Sequence, residues 1–157
     1  MTRGQIVPAA SSLPGSHWHR YVGVRRPGSD GRIDEVVVGP SGVHVVLECP
    51  GGTVGDPLVP TASEAAEAVA DLLPERYRGR VRPELRLAED AGDVATWHGS
   101  VLLASPRALE HTWRYGPRLL STSEIAEVSR WLDRRLELIV EVAPPVQRRR
   151  WLRLRRG

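Results

Sequence analysis

The chain has 157 residues, and all 22 of its basic residues are arginine; lysine and phenylalanine are absent, and cysteine and methionine occur once each. No Walker A loop, Schiff-base lysine or lysine general base can form, and arginine cannot replace that base because its guanidinium keeps its proton. A hydrophobic content of 41% and a charged content of 26% suit one ordinary globular domain with a real core.

One cysteine provides neither a disulfide framework nor a zinc cluster. No apolar run approaches the roughly 18–20 residues of a membrane span, and the N-terminus lacks the apolar stretch of a signal peptide. The expectation is a cytoplasmic protein without a membrane span. The formal charge of +3 is unevenly placed: residues 148–157 hold six arginines and no acid, so the remainder carries sixteen arginines against nineteen acids. Any argument from basicity to nucleic acid therefore belongs to the tail.

Residues 1–16 are rich in Pro, Ser, Ala and Gly without periodicity and read as a disordered segment. The domain proper is expected over 17–143 and a basic tail over 144–157. Residues 17–24 read as a first strand, 25–31 as a turn cluster and 32–38 as a second strand. Gly39-Pro40-Ser41-Gly42 reads as a tight reversal into a third strand, 43–49. That third strand is apolar on both faces, so it belongs in the middle of a sheet. Residues 50–60 read as a loop. A helix follows to about Leu73, with Thr61 and Glu64 at capping-box spacing. Residues 81–88 and 100–104 read as two more strands, separated by a polar loop, and 106–115 as a short helix. A last helix begins at Ser121 or Thr122, with Ile125, Val128, Leu132, Leu136 and Ile139 at helical spacing. Together these make an α/β fold, a mixed sheet of about five strands with flanking helices.

The informative stretch is GRIDEVVVGPSGVHVVLECPGG, residues 31–52. Asp34 near the start of one strand and Glu48 near the end of its hairpin partner are candidates to lie side by side. Two such carboxylates can hold Mg²⁺, which prefers oxygen ligands and supplies waters able to attack a phosphodiester.

This stretch resembles the nuclease-related domain (NERD) family of the restriction-endonuclease-like PD-(D/E)xK superfamily. The family pattern is an Ile-Asp-His run, a Val-rich strand, Gly-Pro-x-Gly and an apolar strand ending Glu/Asp-Thr-Lys. The chain has Ile33-Asp34-Glu35, Val36-Val37-Val38, Gly39-Pro40-Ser41-Gly42 and then Glu48-Cys49-Pro50. The later segments VLLASPRAL and LLSTSEIAEVSRWL fit the family's C-terminal half, so the resemblance covers about residues 17–139. It implies a restriction-endonuclease-like fold with Asp34 and Glu48 as metal-binding and catalytic acids. It also implies a lysine at position 50, where this chain has Pro50. The family's N-terminal glutamate helix has no counterpart in residues 1–16. Arg32 or Arg86 can supply positive charge in place of the lysine, but not a titratable group. Losing one preorganised donor costs about 10²–10³ in rate, and losing a metal ligand adds to it.

Other residues read as follows. His17 and His19 have His-x-His spacing but no evident third ligand. His44 reads as a pocket wall or core histidine, and Cys49 as packing. The tryptophans at 18, 97, 113 and 131 read as core in a chain without phenylalanine, with Trp151 in the tail as the exception. Arg148, Arg149, Arg150, Arg153, Arg155 and Arg156 can contact phosphates. Three functions are open: a degenerate nuclease fold that binds nucleic acid or a protein partner, a Mg²⁺-dependent DNA endonuclease using Asp34 and Glu48, and a structural protein-interaction domain.

Overall fold

The computed structural model describes residues 17–49, 58–88 and 92–139. The β-branched runs form an antiparallel meander of β1 (His19–Arg25), β2 (Arg32–Gly39) and β3 (Gly42–Glu48). Helix α1 (Leu58–Ala70) and the single turn α2 (Glu75–Arg78) lead to β4 (Val81–Arg86), which pairs parallel with β3. A parallel neighbour needs such a crossover. A hairpin of β5 (Ala95–His98) and β6 (Val101–Ala104) follows, then α3 (Pro106–Tyr115) and α4 (Thr122–Arg135). The result is an α/β fold whose six-stranded mixed sheet has the order β1-β2-β3-β4-β6-β5. None of the helices described is long and apolar enough to cross a membrane.

The elements expected from periodicity are present, with three corrections. The sheet has six strands rather than about five. The extra strand, β5, lies within the stretch read as a polar loop, and all four of its residues are exposed, so it carries no buried-strand pattern to read. Helix α1 begins three residues before Thr61, so Thr61 lies inside it and does not cap it. Pro60 is tolerated there because a first-turn residue has no intrahelical acceptor for its N–H. The last helix ends at Arg135, which leaves Leu136 as its C-cap and Ile139 beyond it. Ile139 N instead donates to Gly23 O at 2.6 Å, and Arg25 N to Glu137 O at 2.8 Å, so the chain after α4 lines the outer edge of β1. Ser121 and Glu124 form a reciprocal capping box at the start of α4.

Cross-strand partners share a sheet face, and the register makes two of them. Val36, Val38, Val43, Val45, Leu47, Leu85 and Leu103 lie on one face, packed with Ala62, Ala65 and Val69 of α1 and Ile125, Val128 and Leu132 of α4. The small alanines let α1 approach the sheet closely. Val37, Val46, Leu102 and Ala104 lie on the other face under Leu109 and Trp113 of α3. As expected, β3 is covered on both sides, with only Glu48 exposed.

The β2–β3 turn is fixed by Gly42. Its φ of +118° is open to glycine alone at low cost, and a Cβ there would meet Arg80 O at 2.7 Å.

Candidate functional site

Antiparallel pairing brings Asp34 and Glu48 to the same end of the sheet. Each carboxylate there has its own partners. Glu35 is the cross-strand partner of Val46, and Val36 of Val45. With a side-chain period of two, Glu35 shares the face of Glu48. Asp34 is tied to the backbone instead: its Oδ2 accepts from Glu48 N at 2.7 Å, and its Oδ1 lies 3.5 Å from Arg32 Nε.

Glu35 is the acid that joins Glu48, and the sequence reading did not single it out. Arg86 of β4 is the register partner of Glu48. Its Nη2 donates to Glu48 Oε1 at 2.9 Å and its Nη1 to Glu35 Oε2 at 2.7 Å. Arg20 Nε of β1 donates to Glu35 Oε1 from the other side. Glu35 is buried, whereas Glu48 is mostly exposed. A buried carboxylate held by two guanidinia is the usual way a protein keeps such a charge inside. Burial works against the charge on Arg86, but its bonds and attraction to Glu35, and then to Glu48, outweigh that and hold its pKa above the ordinary arginine value. A signal for Glu35 was in the sequence: a hairpin closed at Val38 and Val43 sets Glu35 opposite Val46, on the face of Glu48.

The Mg²⁺ site that the resemblance implies does not fit these residues. One Asp34 oxygen is taken by a peptide N–H, and a guanidinium lies between the Glu35 and Glu48 carboxylates. Among the described residues, no group of three or more His, Cys, Asp or Glu is arranged to hold a metal ion, His17 and His19 included. Pro50, residues 1–16 and the six tail arginines lie outside the described residues.

A second polar cluster sits under α3. Ser41 Oγ lies 2.8 Å from His44 Nε2, and His44 Nδ1 lies 2.7 Å from Glu84 Oε1 without the alignment of a hydrogen bond. Trp113 Nε1 donates to Glu84 Oε1 at 2.7 Å. Hydroxyl, imidazole and carboxylate follow the order of a nucleophilic triad. However, Ser41 is only 3% exposed and His44 and Glu84 1% each, so no substrate reaches the hydroxyl. The cluster is an interior network that fastens α3 to β3 and β4, and His44 is a core histidine. Cys49 is buried, as expected for packing. Of the four tryptophans read as core, Trp113 is buried and Trp18 and Trp131 are partly buried against the two cores. Trp97 on β5 is 55% exposed, which corrects its assignment to the core.

Compared with protein-family models, with curated proteins and with solved structures, the chain matches none.

Proposed function

We propose that this chain is a nuclease-related domain of restriction-endonuclease-like type that binds nucleic acid without cutting it. The observation that carries the loss of cleavage is Arg86. Its guanidinium bridges Glu48 and Glu35, so the carboxylates at this end of the sheet are neutralised by the protein's own cation. Pro50 at the position of the family's lysine points the same way. The mixed sheet, with its meander hairpin ending in Asp34 and Glu48, supports the fold half of the reading. The tail arginines Arg148, Arg149, Arg150, Arg153, Arg155 and Arg156 support the nucleic-acid half, because phosphate contacts from arginine need no cleavage machinery.

The test is a cleavage assay on plasmid and single-stranded DNA with Mg²⁺ or Mn²⁺, using the full chain and its Glu48→Ala variant. Neither is expected to cut. Metal-dependent cleavage by the full chain that Glu48→Ala abolishes would establish the endonuclease instead. DNA affinity measured against salt tests the binding half. Six phosphate contacts give a log–log slope of about −5 on duplex and about −4 on single strands. A chain ending at Val146 is expected to lose that slope, and equal binding by both chains would remove the tail from the proposal.

A further inference from the structure

The tail holds the chain's excess of basic residues, yet the folded domain is not evenly charged across its sheet. From Ser105 to Leu119, over α3 and the loop after it, Arg107, Arg114 and Arg118 stand against one acid, Glu110. All three arginines are exposed, and none has an ion pair or a side-chain hydrogen bond among the described residues. Arg82, on the β4 strand beneath and two residues from the buried Glu84, is unpaired as well. Arg20 and Arg86, by contrast, are balanced by Glu35 and Glu48. The other solvent-facing acids described on this side are Glu110 and, counting the loop before β5, Asp93. Four arginines against two carboxylates leave a surplus of positive charge facing water. The helices on the opposite face have no such surplus: α1 carries two glutamates and no base, and α4 carries three arginines with three acids.

Aromatic rings accompany these cations. Trp97 and Tyr115 are the aromatic residues among the large apolar side chains left exposed, Tyr115 at 68%. Tyr115 belongs to α3, where its ring lies 4.7 Å from that of His111 one turn earlier. Trp97 is the register partner of Leu102, which packs under α3, so Trp97 lies on the α3 side of the sheet. Leu102 in turn pairs with Glu84, whose carboxylate takes the indole N–H of Trp113, two residues before Tyr115. The two exposed rings therefore stand at one level of the sheet. Trp97 is two strand spacings from Glu84, about 10 Å, a distance that a few nucleotides of single strand cover.

We propose that the α3 side of the sheet binds single-stranded nucleic acid, with Arg107, Arg114 and Arg118 on phosphates and Tyr115 and Trp97 stacked on bases. The proposal rests on the reading of the chain as a nucleic-acid binder and gives the folded domain a share of that binding besides the tail's. Guanidinium groups suit phosphate oxygens, and these give up no internal ion pair to make the contact. Exposed rings accept any base by its face, which a duplex keeps stacked inside and a single strand offers. An acidic peptide would satisfy the arginines and leave the rings unused, so the rings favour nucleic acid.

The experiment is fluorescence anisotropy with a labelled short oligo-dT strand, an abasic strand of equal length and the oligo-dT·oligo-dA duplex. It uses the full chain with its six tail arginines changed to glutamine, so that binding reports the folded domain. That protein is expected to bind oligo-dT about tenfold more tightly than the abasic strand or the duplex. Three phosphate contacts give a log–log salt slope of about −2 on the single strand, and Arg114→Gln is expected to reduce it by about 0.7. Trp97→Ala and Tyr115→Ala are each expected to lose about tenfold in affinity. Arg130→Gln, on α4, is the control that leaves binding unchanged. The substituted side chains are exposed, and unchanged thermal melts show that a loss is not unfolding. Equal affinity for oligo-dT and the abasic strand, or aromatic variants that bind like their parent, overturns the proposal. A polyglutamate peptide bound as tightly as oligo-dT also overturns it and makes the surface one for an acidic protein. No binding by this protein while the unaltered chain still binds overturns it and leaves the tail reading standing. Binding equal to that of the unaltered chain supports the α3 surface and removes the tail.

Discussion

Replacing Trp113 with phenylalanine tests whether the interior network holds α3 on the sheet. The indole Nε1 donates to the Glu84 carboxylate at 2.7 Å, and both residues are almost fully buried. A hydrogen bond to a charged group contributes about 1.5–3 kcal/mol, and water cannot reach the site to replace it. Phenyl in place of indole also gives up roughly 40 Å² of buried apolar surface, about 1 kcal/mol at ~25 cal/mol per Å². The expected loss is about 2.5–4 kcal/mol, or a fall of about 5–16 °C in Tm for a domain of this size. Urea unfolding measures it as a lower midpoint with an unchanged m-value. Glu84→Gln weakens the acceptor, so the Trp113→Phe change should cost at least about 1 kcal/mol less in that background. A loss below about 1 kcal/mol, or two changes additive within about 0.5 kcal/mol, would refute the account of Glu84 and Trp113 as a coupled pair.

Gly42→Ala would place a Cβ 2.7 Å from Arg80 O at a φ of +118°, so we expect a loss of about 1–3 kcal/mol in the same urea assay; a loss under about 0.5 kcal/mol would mean the turn relaxes freely. The Tyr21 hydroxyl is raised far above its ordinary pKa, first by burial and then by its 2.6 Å hydrogen bond to Asp133. The native state thus keeps this proton above about pH 10, where the unfolded chain gives it up, and stability falls as pH rises past that point. Tyr21→Phe should lose about 1 kcal/mol at neutral pH and flatten the alkaline limb of the stability curve, although Tyr77, raised in the same sense, keeps some slope. An alkaline limb as steep as that of the parent chain would exclude Tyr21 as its source.

Much of this fold is written in local chemistry. Ser121 and Glu124 announce the start of α4, Pro106 that of α3, and Gly39 to Gly42 the hairpin, because each signal is satisfied within a few residues of itself. The apolar run of β3 likewise announces a strand covered on both faces. Strand β5 has no such signal. Its residues Ala95 to His98 are exposed on an edge and become a strand by pairing with β6. Thr61 and Glu64 mimic a cap from inside α1, which already starts at Leu58.

The candidate site divides in the same way. The sequence alone determined that Asp34 and Glu48 meet at one end of a hairpin, that position 50 is proline and that no lysine exists anywhere to replace it. The closure of the hairpin at Val38 and Val43 also fixes Glu35 on the face of Glu48, since a shift of one residue in register would exchange the faces. Only the tertiary structure brought Arg86 from β4 and Arg20 from β1 onto Glu35, across 51 and 15 residues of chain. Those contacts follow from the order in which strands pair. That order is set by how two apolar faces are covered at once, which no single segment specifies.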